Sequence, residues 1–106
     1  MNIRGGMGEL MRQAGRVQRK VEKRREELKE ETFEASAGND KVTAVANGIP
    51  ELAEIRIDPA LLQEEDMEMV QDLVVAAANA ALTKAREHVD AEIEKITGGL
   101  SIPGLG

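Results

Sequence analysis

Arg12, Arg16, Arg19 and Lys23 recur at intervals of four, three and four residues, with Lys20 beside them. On an α-helix those intervals put the four side chains on one face, so the cations form a continuous stripe. Eleven residues at about 1.5 Å rise span roughly 16 Å, enough to meet several phosphates along a DNA strand. The same stretch has no Asn, and only Gln13 and Gln18 could read adenine edges. The chemistry predicted is phosphate neutralisation on double-stranded DNA with little base readout. A solvated face, laced with ion pairs to Glu22 and Glu26, is the competing reading.

Other chemistry finds little support. The chain has no Cys, which excludes disulfides, thiolate zinc sites and Cys nucleophiles. His88 is the only histidine, near Glu87 and Asp90, and reads as a solvated or half-buried surface residue. Glu64, Glu65, Asp66, Glu68 and Asp72 lack the alternating ligands and central Gly of a calcium loop; acids at a helix start favour its dipole. Ser36 and Ser101 have neither a Gly-x-Ser-x-Gly context nor a His partner. Gly5, Gly6 and Gly8 follow no strand and lack the Lys-Ser/Thr pair of a phosphate loop. The expectation is therefore no catalytic residue, no metal, no cofactor and no small-molecule substrate.

The elements that carry the stripe can be read from periodicity. Residues 1–8 read as a flexible lead-in, and residues 9–31 as a helix. Met7, Leu10, Ala14, Val17, Val21 and Leu28 make a narrow apolar seam, interrupted by Arg24 and opposite the basic stripe. Such a seam needs a partner helix, although Arg24 and Gly15 argue against a long, tight coiled coil. Over residues 32–58 the period becomes that of strands. Phe33, Ala35 and Ala37 alternate before Gly38-Asn39-Asp40; Val42, Ala44 and Ala46 alternate before the hairpin signal Asn47-Gly48; Ile55 and Ile57 alternate before Pro59. After a turn at Ala60-Leu61-Leu62, residues 66–97 read as a long helix. Val70, Val74, Ala78, Leu82, Ala85, Val89, Ile93 and Ile96 lie on one side, with Thr83, Glu87, Asp90 and Glu94 on the other. Its alanines permit close approach of another element, and Gly98-Gly99 ends it before an apolar tail, residues 98–106.

The chain has 106 residues, 42% apolar and 32% charged, with a net charge of −6. That suits one domain spanning residues 1–106 and is too apolar for wholesale disorder. No run approaches the ~20 apolar residues of a membrane span, and the N-terminus lacks a signal-peptide layout, which predicts a cytoplasmic chain without membrane contact. The charge is uneven: residues 1–29 carry +5 and the remainder −11. A basic segment on an acidic body can still bind a polyanion locally, because screening acts over about 10 Å. Phe33 is the only aromatic residue, so a base-stacking platform for single strands is excluded. An aliphatic, Ala-rich core of this size is a candidate for burying more surface by dimerising.

In order along the chain, several stretches together resemble the YbaB/EbfC family of bacterial nucleoid-associated proteins. They are Gly5-Gly6-Met7-Gly8-Glu9-Leu10-Met11-Arg12-Gln13-Ala14, the stretch from Lys41-Val42-Thr43 through Asn47-Gly48, Ile57-Asp58-Pro59-Ala60-Leu61-Leu62, Asp72-Leu73-Val74-Val75-Ala76-Ala77-Ala78-Asn79 and Gly98-Gly99-Leu100-Ser101-Ile102-Pro103-Gly104-Leu105. The resemblance implies an α+β fold of helix, three-stranded antiparallel sheet and long helix, assembled as a tweezer-like homodimer with projecting N-terminal helices. It also implies DNA binding with broad or modest sequence preference, and a place at the nucleoid. On this chain the projecting arm carries Arg12, Arg16, Arg19, Lys20 and Lys23. A second reading is a protein-interaction adaptor whose DNA contact is incidental.

Overall fold

The computed structural model describes residues 3–98, with side chains from residue 6 onward. Its elements are α1 (Ile3–Lys29), β1 (Thr32–Ala37), β2 (Val42–Asn47), β3 (Leu52–Ile57), α2 (Pro59–Glu64) and α3 (Met67–Thr97). This is the expected α+β order of helix, antiparallel sheet and long helix. The expected flexible lead-in is corrected: α1 already begins at Ile3, so the early glycines lie inside it. Each glycine costs a helix only about 1 kcal/mol, and no proline interrupts the run that follows. The turn expected at Ala60-Leu61-Leu62 is the short helix α2, with Pro59 in its first turn and the Asp58 carboxylate accepting from Ala60 N–H at 3.0 Å. Beyond Gly98, the apolar tail lies outside the described residues.

The sheet runs β1-β2-β3, antiparallel throughout, with Phe33 opposite Ala46, Ala35 opposite Ala44 and Val42 opposite Ile57. Its inner face buries Phe33, Val42, Ala44 and Ala46 against Val70, Ala77, Ala81 and Ala85 of α3, with Leu61 of α2 closing one end. Alanines on both faces allow the long helix to lie close to the strands. They also move its buried line from the expected one: Ala77 and Ala81 are fully buried, whereas Val74, Ala78, Leu82, Ile93 and Ile96 are half-buried. Val45 departs from the simple alternation of β2, because it points to the outer face yet is buried. Arg56 reaches across β2 to Glu34 at 2.7 Å and also pairs with Glu54 at 3.2 Å, so these long side chains cover it.

α3 starts on Asp66, whose carboxylate accepts from Met69 N–H at 2.9 Å, and stops at Gly98 in the left-handed region. The β2–β3 loop presses against the end of α1 at Gly48. A Cβ there would stand 1.9 Å from the Leu28 carbonyl oxygen, so only glycine fits.

The molecule measures 76 × 19 × 17 Å, with a radius of gyration of 20.3 Å. A compact chain of about 100 residues has roughly 13 Å. The excess comes from two long helices that overlap only in part, α1 spanning about 40 Å and α3 about 46 Å.

Candidate nucleic-acid interface

α1 is held at its C-terminal half and free at its N-terminal half. Val21 and Leu28 are buried, Ala14 and Val17 are half-buried, and Met7 and Leu10 are exposed. The seam therefore finds a partner helix over only part of its length. The reason is antiparallel packing: Arg24 meets Glu92 and Glu31 meets His88, so α3 ends at Thr97 while α1 continues past it.

Arg24, expected to weaken the seam, instead ties the two helices. Its guanidinium donates to Glu92 at 2.7 Å and lies 3.4 Å from Glu31 and 3.8 Å from Glu27. Hydrogen bonds from Lys95 and Arg24 hold the Glu92 carboxyl down at about 2. A carboxyl depressed by folding stabilises the protein above its unfolded pKa, near 4.5, and loses that contribution as pH falls towards 2. Denaturant midpoints of the wild type and Glu92→Gln should therefore be well separated at neutral pH and converge in acid. A constant gap from neutral pH to pH 2 would remove Glu92 from the linkage.

His88 packs its ring on Phe33, centroids 5.1 Å apart. Its Nε2 is buried, lacks a hydrogen-bond partner among the described residues and lies 3.4 Å from a Glu31 carboxylate oxygen. The ring is half-buried and rests against the core at the base of the arm.

Along α1, from its projecting half down to its base, Arg12, Arg16, Arg19, Lys20 and Lys23 are all exposed. Glu9 engages Arg12 at 2.8 Å and Arg16 at 3.5 Å. Among the described residues, Arg19, Lys20 and Lys23 have no ion pair. An exposed pair is worth about 0–1 kcal/mol, so Glu9 is readily exchanged for a phosphate. α1 thus presents cations along one side, from Arg12 on the projecting half to Lys23 at the base. Two acids at its base are already engaged, Glu31 by Arg24 and Glu34 by Arg56.

Sequence reasoning missed a second basic group. Arg25 and Lys29 of α1, Arg86 and Asp90 of α3, and Ile49-Pro50 of the β2–β3 loop line a cleft of about 340 Å³ floored by Val89. The spacing of Arg25 and Lys29 was a signal; the arrival of Arg86 from another helix was not.

The family model described as the YbaB/EbfC DNA-binding family matches residues 4–100. A nucleoid-associated protein of Acetivibrio thermocellus is 54% identical over 102 residues, covering 95% of this chain and 90% of that protein. One of Myxococcus xanthus is 46% identical over 96 residues, covering 91% of each. The crystal structure of the uncharacterized Helicobacter pylori protein HP0035 superposes with a TM-score of 0.62 at 24% identity. It covers 71% of this chain and 87% of that one, which establishes the shared fold.

Proposed function

The chain belongs to the YbaB/EbfC DNA-binding family, and on that premise we propose that it is a nucleoid-associated protein that holds double-stranded DNA through phosphate contacts from its N-terminal helices. Arg12, Arg16, Arg19, Lys20 and Lys23 make the contacts, with little base readout, and the bound protein acts on nucleoid organisation or gene expression. The observation that carries this reading is the row of exposed cations on a helix that extends beyond the body. Fluorescence anisotropy with a random-sequence duplex, titrated over salt, tests it. The expected result is a linear log–log slope of about 0.9 per phosphate neutralised. Absence of binding at low salt overturns it.

The working unit in this reading is a homodimer. Support comes from β3, an open edge strand whose inner face α3 leaves partly uncovered: Leu52 is exposed and Ile55 only half-buried, while along α3 Val75 is exposed and Leu82 half-buried. A second copy covering this strip would place two arms on one assembly. Sedimentation should give twice the monomer mass, and Leu52→Glu with Val75→Glu should return the monomer. A double variant that stays dimeric moves the interface elsewhere.

The adaptor reading retains one observation in its favour, the exposed apolar run Met7, Leu10 and Met11 near the arm's tip. A stoichiometric protein partner, recovered after nuclease treatment and lost on Leu10→Glu, would favour it over DNA clamping.

A further inference from the structure

The cleft beneath Arg25 and Arg86 is not part of the DNA stripe. Around α1, Glu22 and Glu26 stand between Arg19 and Lys23 on one side and Arg25 and Lys29 on the other. A duplex lying on the stripe meets those carboxylates before it reaches the cleft. Lys29 pairs with Glu26 at 2.8 Å, while Arg25 and Arg86 have no ion pair among the described residues. Between them lie Ile49, half exposed, then Pro50 and Val89, with Asp90 at the rim. Cations around an apolar floor ask for an anionic segment that also carries aliphatic side chains. A bare phosphate would leave the floor unfilled and meet Asp90.

The same chain carries such a segment. Residues 62–69, Leu-Gln-Glu-Glu-Asp-Met-Glu-Met, are all exposed, with Leu62 at 54% and Met67 at 64%. Glu64 is engaged by Lys41, but Glu65, Asp66 and Glu68 make no ion pair among the described residues. Along α3 this segment lies about 30 Å from Arg86 and Asp90, too far for one molecule to join its own two patches.

We propose that the cleft of one molecule receives residues 62–69 of a second copy, linking molecules head to tail. Leu62 and Met67 then cover Ile49, Pro50 and Val89, while Glu65 and Glu68 face Arg25 and Arg86. The two surfaces differ, so the contact is heterologous and propagates as an open chain. It uses neither the basic stripe nor the β3 edge, and it forms without DNA. On DNA it makes neighbouring molecules bind cooperatively.

Sedimentation velocity of the full chain, without DNA and at low salt, tests the contact. The wild type should form species beyond the dimer as concentration rises, and added salt should dissolve them. R25E/R86E and E65K/E68K should each raise the concentration of half-association by about tenfold or more. Mixed in equal amounts, the two variants should associate again, because each supplies the complement of the other's altered surface. A misfolded variant cannot give that rescue. The proposal is overturned by a wild type with nothing beyond the dimer, by a variant that associates like the wild type, or by a mixture that stays dissociated.

Discussion

Replacing Arg12, Arg16, Arg19 and Lys23 together with Ala should lower affinity for a random duplex by about 100-fold or more near ~0.1 M salt, and flatten the salt dependence. The four side chains lie on the exposed face of α1, away from the buried Val21 and Leu28, so their removal leaves the apolar base of the helix untouched. Ala is the strongest helix former, which keeps the arm helical and the melting temperature close to that of the wild type. The loss should divide unequally. Arg12 and Arg16 share Glu9, so each phosphate contact there replaces an existing ion pair. Arg19 and Lys23 have no such competitor among the described residues, and Arg19→Ala with Lys23→Ala should account for the larger part. Sequence variants of the duplex should change affinity little, because a stripe that follows the strand meets phosphates, which carry no sequence information. Unchanged affinity in the fourfold variant would remove the stripe from the mechanism and leave its charges as a solvated face.

What could be read from the sequence followed from local pattern. The switch from a helical period to alternation at Phe33, the Asn47-Gly48 turn and the stop at Gly98 depend on neighbours in the chain, and the element order follows from them. The stripe is legible for the same reason, since four-three-four spacing is a property of one helix. Features that depend on a distant partner were not legible. Whether Leu10 or Leu28 is buried depends on where α3 ends, which no residue of α1 encodes. Arg24 reads as a flaw in an apolar seam until Glu92, far along the chain, arrives opposite it. The buried line of α3 is set by how near Ala77 and Ala81 come to the sheet, a packing outcome that periodicity cannot choose between adjacent rows. Val45 is buried by side chains of its own exposed face, and alternation assigns it to solvent.

Leu28→Ala should be the most destabilising truncation on α1, at about 2–5 kcal/mol, whereas Leu10→Ala should change stability by no more than about 0.5 kcal/mol. Both residues belong to the same apolar seam, but Leu28 is fully buried and Leu10 is 66% exposed. Leu28 sits where α1 ends, beneath the loop that Gly48 brings against its carbonyl. A cavity there loosens α1, the β2–β3 loop and α3 together. For a chain whose total stability is about 5–15 kcal/mol, that is a large share. Thermal melting of the two variants in dilute solution separates the cases. A Leu10 cost as large as that of Leu28 would mean that the outer half of the arm is packed, against a second arm or another protein. A small Leu10 cost beside a large Leu28 cost means that the helix is anchored at one end only. That asymmetry is what an arm requires: its base spends apolar burial on rigidity, and its outer turns keep their cations at a distance from an acidic body. Leu28→Ala should accordingly also weaken DNA binding, through a loosened base, with the salt slope unchanged because no cation is lost.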